Sequence, residues 1–200
     1  MPFHNIAAAT IPVPWSKQVG AMPATVNWDG SALPFAKFLS TTHTNAFLVI
    51  RNGVINYEWY NKSSNAKTKL PSYSMAKTLT SIMIGQLIAQ GKIKESDTFV
   101  QYFPEFRTGS GFDRVTIKSL LDMQSGVGVS DNYPSGPSGW GVAIAQMYAT
   151  TDLNFFLKHN RKMSAEPGTE SEYRSVDTQL LGFIIAKVTG KSVSDSPIWL

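Results

Sequence analysis

From Met75 onward apolar side chains fall at Leu79, Ile82, Met83, Ile84, Leu87 and Ile88. This is helical spacing with a wide apolar face, and it predicts a buried helix. Pro71 and Ser72 supply start signals, and Gly91 follows Gln90 as the residue just past the helix end. Upstream, Ala46-Phe47-Leu48-Val49-Ile50 reads as a strand buried on both faces. Asn52-Gly53 is a strong hairpin turn, and Ile55, Tyr57 and Trp59 alternate with Asn56 and Glu58 on the return. Residues 1 to 34, rich in Pro, Ala, Thr and Gly, have no sustained period and read as irregular, with a short helix around Leu33 to Leu39.

Downstream, Lys92 to Phe106 is turn-rich, and Thr116 to Leu121 reads as a short helix closing at Ser125-Gly126. The span from Gly126 to Gly141 is dense in Gly, Ser, Pro and Asn and encloses Tyr133 and Trp140. A loop this long reads either as a substrate wall, with those two aromatic residues as contacts, or as a surface loop. Val142 to Tyr148 and Asp152 to His159 read as helices, Pro167-Gly168 as a turn, and Val176 to Val188 as an amphipathic helix ending near Gly190. The sum is an α+β chain. Its only convincing sheet material is one hairpin, which is marginal alone. A strand buried on both faces needs neighbours, so the chain is expected to be a truncated part of a larger domain or to pair with another chain.

The pattern leaves Ser74 and Lys77 three residues apart in the first turn of the central helix, on one face. A serine hydroxyl becomes a nucleophile when a nearby base takes its proton, and a lysine serves where its surroundings favour the neutral amine. A second S-x-x-K, Ser64-Asn65-Ala66-Lys67, lies in the polar run from Asn61 to Lys69 and reads as a solvated loop. Motif and helix alone leave two readings of Ser74–Lys77 open: a nucleophile and its base, or a helix start whose lysine snorkels to solvent.

Composition removes several classes. The 200 residues are 42% hydrophobic, enough for a core, and carry net charge +4 from 18 basic and 14 acidic residues spread along the chain. The one basic excess, Lys62, Lys67 and Lys69, lacks the interleaved aromatics of a nucleic-acid surface. No run approaches the roughly 20 apolar residues of a membrane span. Met1 to Trp15 shows no secretory signal, from which a cytoplasmic location is expected. There is no cysteine, and His4, His43 and His159 are scattered without metal-ligand spacing. Gly109-Ser110-Gly111 and Gly126-Val127-Gly128 lack the third glycine of a dinucleotide site, and no G-x-S-x-G elbow exists. No metal or organic cofactor is expected, and the oligomeric state is not legible.

Four blocks then tip the balance: Tyr73-Ser74-Met75-Ala76-Lys77-Thr78, Leu87 to Ile93, Leu120 to Val127, and Pro167-Gly168 through Tyr173-Arg174-Ser175 to Leu181-Gly182. In order and spacing, over roughly residues 45 to 195, they resemble the serine β-lactamase and penicillin-binding-protein superfamily. The closer likeness is to its class C-type branch of esterases and nylon-oligomer hydrolases. The resemblance implies a β-lactamase-like fold, an antiparallel sheet plus a helical subdomain, occupying residues 45–200 after a lead-in of 1–44. It implies acylation of Ser74, with Lys77 as general base, Tyr173 as proton relay and Ser175 as a substrate contact. A phenol near a lysine ammonium can have a lowered pKa and pass a proton to the leaving group.

Three positions depart from the pattern. Ser171 stands where the family is usually aromatic or aliphatic, and Met123-Gln124 replaces the His-Thr of β-lactamases and many esterases, which points to the nylon-oligomer type. The family's K-T-G or H-x-G strand, which supplies one oxyanion donor, does not occur in these 200 residues. Losing one such donor raises an acylation barrier by about 3 kcal/mol. The expectation is therefore a serine hydrolase cleaving a small-molecule ester or linear amide through an acyl-enzyme. The alternatives are an enzyme reactive with β-lactams or D-alanyl peptides, and a non-catalytic binding protein that retains the fold.

Overall fold

The structure, a computed structural model, describes residues 11–132 and 143–196. The chain forms two compact units that divide between Pro71 and Ser72, and each is taken by itself.

The first unit holds five strands and a helix: β1 (Ser16–Lys17), β2 (Thr25–Trp28), β3 (Ser31–Pro34), α1 (Phe35–Thr41), β4 (Ala46–Arg51) and β5 (Val54–Tyr60). The hairpin at Asn52-Gly53 forms as expected, antiparallel, with both turn residues at positive φ (51° and 74°). That is the conformation a two-residue turn needs to match strand twist. The reading of residues 1 to 34 as irregular is corrected over the described residues 11–34. Strand β1 runs parallel to β5, extending the hairpin to three strands in the order β1-β5-β4, and β2 and β3 make a second antiparallel hairpin. Its turn is Asp29-Gly30, at φ 51° and 75°, the same chemistry as Asn52-Gly53. The signal was present, but flanking segments of four residues are too short for a period to stand out.

A second correction concerns β4, which is not buried on both faces. Leu48 and Ile50 are 47% and 44% exposed, while Phe47 turns the other way into an aromatic cluster. Phe35 contacts Phe38, Phe47 and Tyr57 with ring centroids 6.2, 5.4 and 5.7 Å away. The strand alternates after all, and five consecutive apolar residues concealed the period. The Ser64-x-x-Lys67 copy lies in turns held by Asn61 and Asn65 side chains, with Ser64 half-buried and Lys67 exposed to solvent.

The second unit is helical. A 3₁₀ turn (Tyr73–Met75) leads into α2 (Ala76–Ala89), followed by α3 (Phe99–Tyr102), α4 (Ile117–Leu121), α5 (Ala143–Ala149), α6 (Leu153–His159) and α7 (Ser175–Thr189). Local chemistry sets the ends. Thr116 and Ser119 exchange a reciprocal cap at α4, 3.1 and 2.9 Å. Asp152 accepts from the Phe155 N–H at α6, and Gly190 ends α7 in the left-handed conformation.

Helix α2 packs on α7. Met83, Ile84 and Leu87 of α2 join Leu180, Leu181, Ile184 and Ile185 of α7 in one core with Phe99, Phe103, Phe106 and Phe112. Burying each such side chain stabilises the unit by about 1.5–3 kcal/mol. The expectation of a buried central helix holds for that face only, since Met75 and Leu79 are 71% and 45% exposed. Ser72 does not cap it either. No side chain caps its start, which instead tightens into the 3₁₀ turn.

Candidate active site

The 3₁₀ turn is what brings Ser74 and Lys77 together. In 3₁₀ geometry residues three apart eclipse one another more closely than in an α-helix. Ser74 lies in the turn and Lys77 in the first turn of α2, and the Lys77 Nζ donates to Ser74 Oγ at 2.8 Å. The turn is entered through Tyr73 at φ 45°, a left-handed conformation that a bulky residue rarely adopts and that costs on the order of 1–3 kcal/mol. Ser74 is thereby presented at the surface while Lys77 stays half-buried behind it.

Tyr173 reaches the same place from the segment before α7. The Lys77 Nζ sits 4.9 Å from its ring centroid. Hydrogen bonding from Lys77 first, and from Ser74 second, holds the Tyr173 phenol below its ordinary value, against a smaller opposing effect of burial. Its position is set by the backbone next door: the Glu172 N–H donates to the Met123 carbonyl at 3.0 Å, and the Gly168 N–H to the Gln124 carbonyl at 2.8 Å. Met123 and Gln124 therefore support the site through main-chain groups, which their departure in side chain leaves intact.

Ser74, Lys77, Tyr148, Ser175, Thr178 and Gly182 are among the residues lining one cavity of about 770 Å³. Ser175, 5% exposed, opens α7. Its N–H and its Oγ both donate to the carboxylate of Asp131, at 2.7 and 2.5 Å, and the Tyr148 hydroxyl donates to the same Oγ at 3.2 Å. Neither Asp131 nor Tyr148 was singled out from the sequence. Asp131 lies in the polar loop marked as a candidate substrate wall, but no linear pattern pairs it with a residue 44 positions on. Tyr133 and Trp140, the aromatic contacts expected in that loop, lie outside the described residues.

Between Tyr173 and Ser175, Arg174 turns inward and is 1% exposed. It donates to Ser164 Oγ at 3.1 Å and pairs with Glu172 at 2.5 Å. One turn on, Asp177 is wholly buried and accepts from Ser125 Oγ at 2.5 Å. Burial pushes its carboxyl up to about 7, although the Ser125 hydrogen bonds and the Arg174 charge oppose the shift. Through Ser125 the start of α7 is tied to the loop after α4. Among the described residues no group of three or more His, Cys, Asp or Glu side chains could hold a metal ion, and no helix is long and apolar enough to cross a membrane.

Ser74, Lys77 and Tyr173 thus meet at the head of α2. The chain belongs to the Beta-lactamase family, whose model matches residues 40–196. It is similar to the 6-aminohexanoate-dimer hydrolase of Paenarthrobacter ureafaciens, 30% identical over 162 residues, covering 76% of this chain and 40% of that protein. It is also similar to a β-lactamase of Pseudomonas fluorescens, 29% identical over 150 residues, covering 72% and 38% of the two chains. A solved Bacillus anthracis structure, provisionally named a 6-aminohexanoate-dimer hydrolase, superposes with TM-score 0.74 at 27% identity, over 92% of this chain and 50% of that one. A class C β-lactamase solved with cefoxitin shares the fold, with TM-score 0.58 at 20% identity, over 78% of this chain and 43% of that one. The fold class is thus α+β of the β-lactamase type. The chain spans about 40% of the length of these two curated relatives.

Proposed function

We propose that this chain carries the nucleophile and proton-relay part of a serine hydrolase that cleaves an ester or a linear amide through an acyl-enzyme. The observation that carries the reading is the meeting of Ser74, Lys77 and Tyr173, with a 2.8 Å Ser74–Lys77 hydrogen bond and a phenol held below its ordinary pKa by both partners. In the proposed reaction Ser74 Oγ attacks the substrate carbonyl while its proton passes to Lys77. Tyr173 relays the proton to the departing amine or alcohol, and the Ser74 ester remains. The Ser74 N–H, at the head of α2, is one donor to the oxyanion. Water then attacks the ester, and the relay runs in reverse to restore Ser74. Similarity to the 6-aminohexanoate-dimer hydrolase supports an amide as substrate.

A second reading, reactivity with β-lactams or D-alanyl peptides, is favoured by similarity to the Pseudomonas fluorescens β-lactamase. A fluorescent penicillin separates it, since only that reading expects the β-lactam ring to be opened by Ser74, seen as an adduct or as hydrolysed penicillin.

The deciding experiment is intact mass spectrometry after exposure to a fluorophosphonate. One adduct is expected on the parent chain and none on Ser74→Ala. A folded parent that gains no adduct would turn the assignment to a non-catalytic binding protein that retains the fold.

A further inference from the structure

Ser175 lines the cavity beside Ser74, and its hydroxyl carries one proton and two lone pairs. The proton is already committed, because Asp131 has no proton to give as a carboxylate and accepts it at 2.5 Å. The same carboxylate accepts the Ser175 N–H at 2.7 Å, the first N–H of α7, where the positive end of the helix favours a negative charge. Two bonds to two oxygens of one carboxylate leave the Ser175 hydroxyl no freedom to turn. The Tyr148 hydroxyl adds a donor to Ser175 Oγ from the far side, at 3.2 Å. What remains open on Ser175 is acceptor capacity alone.

We infer that Asp131 is a positioning residue that makes Ser175 an obligate hydrogen-bond acceptor, and thereby selects substrates that offer an amide N–H over the corresponding esters. The inference rests on the hydrolase reading for the reaction but concerns recognition, which can be measured apart from it. An amide N–H meets a Ser175 lone pair. The ester oxygen in the same place presents a lone pair of its own, and a buried acceptor left facing another acceptor is penalised. Replacing Asp131 by Asn reverses the polarity, since the Asn amide nitrogen can donate to Ser175 Oγ and free the hydroxyl proton to turn toward the cavity.

The test uses the full 200-residue chain carrying Ser74→Ala, so that ligands bind without being turned over. The probes are 6-(hexanoylamino)hexanoate and its ester isostere 6-(hexanoyloxy)hexanoate, titrated calorimetrically. The amide is expected to bind at least about tenfold tighter than the ester, one good hydrogen bond's worth of preference. Adding Asp131→Asn should bring the ratio to within about twofold. Ser175→Ala should do the same while keeping the N–H that Asp131 holds, so it decides the matter if Asp131→Asn fails to fold. On top of Ser175→Ala, Asp131→Asn should change the ratio no further. A purely structural role for Asp131 would weaken both ligands alike. Absence of an amide preference, or a preference that survives both substitutions, overturns the inference. The fluorophosphonate adduct on the parent is read separately: an adduct without amide preference sinks the role of Asp131 alone, and amide preference without an adduct sinks the nucleophile alone.

Discussion

In the proposed reaction Lys77 and Tyr173 share the handling of one proton. Alone, a phenol holds its proton to about pH 10. Here the hydrogen bonds from Lys77 and Ser74 favour the phenolate, so its pKa is lowered. A lowered pKa means that the relay-competent form populates earlier as pH rises. The rate of aryl-ester hydrolysis is therefore expected to climb with pH through that lowered pKa and to level off above it. In Tyr173→Phe this limb should vanish, with a rate loss on the order of 10²–10⁴. A Tyr173→Phe profile parallel to that of the parent would remove Tyr173 from the relay. At this scale the sequence was informative about identity, since Ser74, Lys77, Tyr173 and Ser175 all stand at motif positions. It was silent on Asp131 and Tyr148, because a hydrogen bond across 44 positions leaves no local pattern.

The elements show how backbone geometry delivers those side chains. The loop after α4 runs against residues 162–165: the Ser164 N–H donates to the Gly126 carbonyl and the Gly128 N–H to the Lys162 carbonyl, both at 2.8 Å. Gly126 stands at φ 72°, and a Cβ there would lie 2.2 Å from the Ala165 carbonyl oxygen. Both the conformation and the contact exclude a side chain. Gly126→Ala is therefore expected to destabilise the chain by more than about 3 kcal/mol, read as a lowered urea midpoint with unchanged slope. Because the same loop holds Glu172 and Gly168 through Met123 and Gln124, fluorophosphonate labelling should slow in parallel. A midpoint within error of the parent would refute the close approach. The glycine was visible in the sequence as the end of a short helix, but the carbonyl it accommodates belongs to a segment 39 residues away by numbering.

For the whole molecule the buried carboxyl of Asp177 sets a pH dependence of stability. Its pKa rises to about 7 because burial disfavours the charge, whereas an unfolded Asp titrates near 3.9. Below about pH 4 both states hold the proton, and the group's contribution is fully present. As pH rises toward about 7 the unfolded chain releases its proton first, so stability is lost across that window and stays low above it. Asp177→Asn keeps an oxygen for Ser125 and cannot ionise. Its stability relative to the parent should grow across the same window, by at most about 4 kcal/mol. Urea midpoints at both ends of the window check this, and parallel pH dependences would show that Asp177 is charged in the folded chain. The core around it is robust to such a change, since α2 and α7 meet mainly through apolar side chains.

Hydrophobic period and turn chemistry determined the long helices α2 and α7 and the Asn52-Gly53 hairpin, because each is a local property of consecutive residues, while the family resemblance marked the positions of the site. Asp29-Gly30 belongs with the Asn52-Gly53 hairpin in principle, although its short strands hid it. Only the tertiary structure decided which side of β4 is covered, that Tyr73 takes a strained conformation before Ser74, and that Arg174 turns inward between two site residues. It alone joined Asp131 to Ser175 and Ser125 to Asp177. The reason is the same in each case. Burial, proton affinity and the direction of a hydroxyl depend on what lies within a few ångströms, and those neighbours come from parts of the chain that the sequence keeps far apart.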